Sequence, residues 1–435
     1  MHAHILTTVA GPLTGFYAVA AAVNLVAAWR SGRKRRWMTM GAWIMVAVVF
    51  GLLGGLAWSG HPLEVSERLK TAVDWLIGPV TFTLGSLATL IACYLGRRWL
   101  ARPAVAWSGL NVSLLVLGAS MTDVNFASVV LRPDNVPIVG LVYLLAFFTW
   151  LAASQAIAND DRIGRGEEPA EKELSDTALV WPDLVYVELI AMVLLAAGLI
   201  VWSLLLRAPL EPPANPAVTP NPSKAPWYFV GLQEMLVYFD PSVAGVIVPC
   251  LIILGLMAIP YLDFNPRGSG YYTIRQRKFA YLAFQFGFLQ LWISLILIGT
   301  FMRGPNWSFF GPYEFRDPSK VAAITNVKLS EYFWVTWLGR GLPQAAAGAG
   351  CLVQGVTILW REIAGVVALG AYFGLLPWLL GKTILQRFRS RMTFGRYAIL
   401  SLLLLMMLAV PLKMILRWQW NLSYLVSIPE YLFNF

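Results

Sequence analysis

Long apolar runs of about 20 residues, separated by short polar connections, dominate the chain. A run of that length crosses the ~30 Å hydrocarbon core as a helix. In lipid, only a segment that satisfies its own backbone amides and carbonyls can do so. Ten runs predict ten spans: Ile5–Ala28, Met38–Trp58, Leu76–Leu95, Ala104–Thr122, Val136–Ala156, Leu184–Leu206, Val243–Leu262, Phe279–Phe301, Ile363–Leu380 and Tyr397–Leu416. The first lacks a basic lead-in and is too long for a cleaved signal peptide, so it counts as a span. Ala345–Trp360 is also apolar, but counting it would move the basic loop before Tyr397 to the opposite side. It is expected as a surface or re-entrant helix. The predicted fold is all-α: a polytopic integral membrane protein with about ten transmembrane helices.

Loop charge sets the orientation. Basic residues cluster after the first, third, fifth, seventh and ninth spans, and those connections hold 20 of the 33 lysines and arginines. The positive-inside rule makes them cytoplasmic and predicts that both termini face outward. A net charge of +10 could suggest nucleic acid, but in such a chain basic loops account for it, and no nucleic-acid partner is expected. Composition agrees: 58% of residues are hydrophobic and 13% charged, about half the charge of a soluble chain, which excludes a water-soluble enzyme. Among charged types, only Glu188 and Lys413 fall inside the spans. Ion- and proton-coupled carriers need ionisable groups at that depth, so a transporter is the weakest class. Cys93, Cys250 and Cys351 lie in apolar stretches and are expected to pack there, with no disulfide framework and no metal site.

Five parts follow: a five-span block (1–158), a cytoplasmic connector of alternating charge (159–180), a three-span region (181–302), an outer aromatic-rich stretch (303–362), and two closing spans with a tail (363–435). The aromatic stretch is either an interfacial belt or a docking surface. Between spans six and seven lies the most informative connection. Seven prolines from Pro209 to Pro226 make a stiff, extended strap. Pro226 then suits the first turn of a short helix through Phe239. Helical spacing places Trp227, Glu234 and Tyr238 roughly on one face, at the outer surface. Such a face could hold a lipid-soluble ring beside a group able to accept a proton. Alternatively, Trp227 and Tyr228 are belt anchors and Glu234 a solvated charge.

Asn215-Pro216-Ala217-Val218-Thr219-Pro220, followed by Lys224-Ala225-Pro226-Trp227-Tyr228-Phe229, resembles the C-terminal half of cytochrome b, which in some complexes is a separate chain, subunit IV. The order of span, outer loop, short helix, span, basic loop and span is similar over Leu184–Phe301. Pro249, Pro260 and Asp263 fit loosely. The resemblance implies an outer quinol-oxidation pocket in a cytochrome bc-type complex, a quinol–cytochrome c type oxidoreductase. Electrons would pass to an iron–sulfur protein or c-type cytochrome outside, and to haem b. The family's Pro-Glu-Trp-Tyr motif uses its glutamate as proton acceptor. Here that position is Pro226, which cannot take a proton. Glu234, ~12 Å further along the helix, is the first candidate to replace it and Asp240 the second. Pro226, Trp227, Tyr228, Tyr238 and Asp240 would line the quinol site.

Two bis-histidine haems need four histidines within spans. This chain has three, His2, His4 and His61, all outside the spans. Haem b is therefore expected in a partner resembling the N-terminal half of cytochrome b, none being ligated here, with lipid around both. The alternative is a quinol-binding membrane anchor of another respiratory complex. The expected location is a bacterial inner membrane.

Overall fold

The structure is a computed structural model that describes residues 2–173, 180–206, 213, 215–217, 219–265, 270–321, 326–346, 348–431 and 433–435, the side chains of 2–9 excepted. Arg267 and parts of the connector (174–179) and the strap (207–212, 214 and 218) lie outside the described residues.

Helices account for nearly all the regular structure, and every predicted span is helical: α1 (His2–Arg33), α2 (Trp37–Trp58), the bent pair α3 (Glu67–Leu76) and α4 (Pro79–Leu95), α5 (Pro103–Ser120), α6 (Val136–Gly164) and α7 (Asp183–Leu205). After the short α8 (Trp227–Met235) come α9 (Val243–Leu262) and α10 (Lys278–Met302). The surface helix α11 (Cys351–Arg361) precedes α12 (Ile363–Lys382) and α13 (Phe394–Trp420). Among the described residues, nine helices are long and apolar enough to cross a membrane, or ten if the bent pair is one span. The protein is an all-α polytopic membrane protein.

The third span departs from its predicted start. Pro79 forces Gly78 into extended backbone (φ −65°, ψ 162°), so the helix breaks there and α3 leaves at 80°. Leu76 belongs to α3, and the span proper begins at Pro79. The fifth span runs on to Gly164 because polar groups in its last turns find partners. The three cysteines are free and exposed, so packing inside the bundle is not their role. The run Ala345–Trp360 yields α11, which has 11 residues, none buried, and is too short to span.

Contacts between connections fix which ends lie together. At one end Arg98, after α4, pairs with Asp161 at 2.5 Å. The buried neighbour Asp160 accepts from the Thr273 hydroxyl and the Ile274 and Arg275 amides, before α10. The connections after spans three, five and seven therefore share this basic end. At the opposite end, the rim, the loop after α10 reaches back to the five-span block. The Tyr313 amide donates to Asp74 at 2.9 Å, and its hydroxyl meets Ser120 at 2.7 Å. Asn125 donates to its carbonyl, and its ring stacks on Phe126. For spans three to eight, these contacts group the connections into the two alternating sets that the loop charges predict.

The rim is closed by short strands. β1 (Val327–Lys328) pairs in parallel with β2 (Leu422–Tyr424), and β3 (Ser427–Ile428) pairs antiparallel with β4 (Phe433–Asn434). Lys413, buried near the end of α13, donates to the Ser423 carbonyl at 2.5 Å. One core lies just beneath the rim, where Met235, Tyr238, Phe239, Val243, Leu295 and Met414 pack together. By contrast, no residue of α7 is buried. Its Glu188 is exposed, and its side chain has no hydrogen-bond partner among the described residues.

Candidate functional site: a clamped helix at the rim

Helix α8 is preceded by its cap residue Pro226, whose extended backbone (φ −51°, ψ 150°) ends the strap and whose missing amide proton costs nothing at a helix start. The helix lies tight across α10. A β-carbon at Gly299 would stand 2.9 Å from the Val230 side chain and 3.1 Å from its carbonyl, so the close crossing requires glycine there.

The strap is pinned from both sides. Gln233 reaches back, donating to the Ser223 carbonyl and accepting from the Ala225 amide, each at 2.8 Å. Asn221 exchanges hydrogen bonds with Asn306 at 2.8 and 2.6 Å. Lys224 donates to the Thr300 carbonyl at 2.7 Å.

Glu234 and Tyr238 come together at the other end of α8, in the interior. Glu234 is 0% exposed, and its carboxylate takes Arg303 Nε and Nη2 at 2.8 and 2.6 Å. It also accepts from the Tyr238 hydroxyl at 2.7 Å and Trp307 Nε1 at 3.2 Å. Arg303 spends its remaining nitrogen on the Trp307 carbonyl and lies over the Trp418 ring, 5.0 Å from its centroid. Trp418 in turn donates to the Tyr238 hydroxyl at 3.2 Å. A desolvated ion pair persists only when its other hydrogen-bonding positions are filled, and here they are. Burial, reinforced by the Glu234 carboxylate, pushes the Tyr238 phenol well above its ordinary value.

Trp227, which spacing placed on the face of Glu234, stays apart. Trp227, Tyr228 and Phe229 are 44%, 49% and 55% exposed and form a continuous aromatic edge. Trp227 meets Tyr228 edge-on at 5.7 Å, and Tyr228 lies 4.9 Å from Phe229. Asp240 is elsewhere again. It caps the start of α9 by accepting from the Ser242 amide and hydroxyl, and Asn434 donates to it at 3.0 Å. Burial alone would raise its carboxyl, but these three bonds outweigh it and hold the group below the usual range. The six residues therefore divide into an open aromatic edge beginning at Pro226, an enclosed pair and a helix cap.

Two participants were not foreseen. Arg303 is separated from Glu234 by 69 residues. Its only sequence signal is a lone arginine directly after a span. Lys224 appeared within the motif, yet nothing local revealed its surroundings. Of the histidines, His61 lies in an exposed rim turn, its Nδ1 3.0 Å from the Ser59 carbonyl. The side chains of His2 and His4 lie outside the described residues. Among the described residues no group of three or more His, Cys, Asp or Glu could hold a metal ion.

Residues 213–311 match the sequence model of the family described as Cytochrome b(C-terminal)/b6/petD. The match begins in the strap and ends two residues before Tyr313, so it contains α8, α9, α10, Glu234 and Arg303. This segment is a C-terminal cytochrome b-like domain. No curated protein and no solved structure matched the chain.

Proposed function

We propose that this chain is a membrane subunit of a quinol-oxidising electron-transfer complex of the cytochrome bc type, presenting the aromatic edge of α8 to quinol at the outer side. The observation that carries the reading is the coincidence of the family match with a built rim. Residues 213–311 contain an open aromatic edge and, behind it, a buried clamp that holds the edge in place. An exposed aromatic patch on a rigid support suits a flat, lipid-soluble ring.

Glu234 was the first candidate for proton acceptor. Four donors occupy its carboxylate and no solvent reaches it. Taking up a proton there would break the ion pair with Arg303, so the geometry favours a positioning role: Glu234 fixes α8 against the ends of α10 and α13. Asp240, engaged as a helix cap, positions α9.

Haem b is assigned to a partner resembling the N-terminal half of cytochrome b, since the only described imidazole sits in the exposed turn at His61. The uncovered α7 supports a partner as well. A carboxylate at membrane depth is costly without company, and Glu188 lies about one and a half turns into that span. On the outer side, a one-electron carrier, an iron–sulfur protein or c-type cytochrome, would receive electrons.

The test is purification of the assembly from membranes in mild detergent. A co-purifying chain with two pairs of span histidines, a b-type haem spectrum and quinol-dependent cytochrome reduction support the proposal. A large extramembrane cofactor subunit in place of the haem-bearing chain would instead make this protein the anchor of another respiratory complex.

A further inference from the structure

Oxidation of a hydroquinone releases protons as well as electrons, so a rim that performs it needs a base. With Glu234 engaged, the structure contains another group suited to the task. Lys224 lies in the strap three residues before Trp227 and is half-buried. Its Nζ donates to the Thr300 carbonyl at the end of α10. Among the described residues it forms no ion pair.

The charged groups that act on it electrostatically come from three elements. Arg316, in the loop after α10, donates to the adjoining Phe301 carbonyl. Arg132 and Asp134 come from the connection between α5 and α6, where the Asp134 carboxylate lies 3.3 Å from Arg132 Nε. Glu234, on α8, is bound to Arg303. Two guanidiniums therefore act on Lys224 electrostatically, while Asp134 pairs with Arg132 and Glu234 with Arg303. Desolvation and like charge both favour the neutral amine over the ammonium. Burial, with Arg316 and Arg132 adding to it and Asp134 and Glu234 opposing, brings the group down to about 7.

We propose that Lys224 is the base that accepts the first proton from quinol bound against Trp227, a role that rests on the quinol-oxidising reading of the rim. In this step the ring O–H bond breaks and its electron pair stays on oxygen. The lone pair of the neutral amine forms the new N–H bond. The resulting quinolate then gives one electron to the one-electron carrier, iron–sulfur or c-type haem, of the partner subunit. The ammonium passes its proton to water at the exposed face of the strap.

Arginine and glutamine at this position separate the base from a structural tie. In the purified complex, quinol-dependent cytochrome reduction by wild type is expected to rise with pH through about 7, as the amine becomes neutral. Lys224→Gln is expected to lower kcat roughly 100-fold or more, the usual loss on removing a general base. Lys224→Arg keeps a donor for the Thr300 carbonyl but cannot accept a proton near neutrality. It is expected to be as slow as Lys224→Gln, with KM near wild type and no pH-dependent rise. A Lys224→Arg complex with wild-type rate and pH profile overturns the role of Lys224 and leaves the quinol reading standing. A wild-type complex that neither binds nor oxidises quinol overturns both.

Discussion

Arg303 and Glu234 meet through paired hydrogen bonds of 2.6 and 2.8 Å, with 1% and 0% of their surfaces exposed. The pair joins the last turn of α8, whose first turn carries the aromatic edge, to the end of the eighth span. Breaking one partner leaves an uncompensated buried charge, which typically costs about 3–5 kcal/mol. Arg303→Met is therefore expected to lower the thermal midpoint in detergent and the amount of assembled protein. Arg303→Met combined with Glu234→Met should recover much of that loss.

Glu234→Gln separates a clamp from a proton acceptor. The clamp predicts reduced assembly, with the surviving protein showing nearly normal turnover per complex. A fully assembled variant with severely slowed quinol-dependent reduction would return Glu234 to the chemistry.

Trp227→Ala tests the aromatic edge. The ring is 44% exposed, so stability should change little. Loss of one ring–ring contact, worth about 1 kcal/mol, should raise half-saturation for quinol roughly 5-fold. Unchanged half-saturation would make Trp227 a membrane-interface anchor.

Asp160 tests the opposite end. Its carboxylate serves the Thr273 hydroxyl and the Ile274 and Arg275 amides. Asp160→Ala leaves these donors without their acceptor in a buried place, at a cost of about 1–3 kcal/mol. Faster proteolytic cleavage between α9 and α10 should report it, with Asp160→Asn intermediate.

Gly365→Ala tests the seating of the tail. A β-carbon there would fall 1.9 Å from the Leu425 carbonyl oxygen, a backbone atom that cannot swing aside. About 1–3 kcal/mol of overpacking strain is expected, and limited proteolysis should show earlier loss of the segment carrying β3 and β4.

The spans were legible from sequence because lipid imposes one rule on every residue within them, and a window of apolar residues is enough to apply it. The strap and the start of α8 were legible because proline carries its conformation with it. What was not legible is pairing across the chain. Glu234 looked like a surface charge or a reactive carboxylate until Arg303 stood beside it. Trp227 and Glu234 fell on one face by spacing, but the helix buries only its second half beneath the rim. The bend at Pro79 was present in the sequence but hidden within an unbroken apolar run.

Tyr313 has a consequence for how the molecule can be divided. It lies just past the cytochrome b-like segment, yet its anchors, Asp74, Ser120 and Asn125, all belong to the five-span block. Evolution or engineering could sever the polypeptide at the charged connector and still expect the halves to find one another through this plug. Either half made alone would lack the other side of the joint.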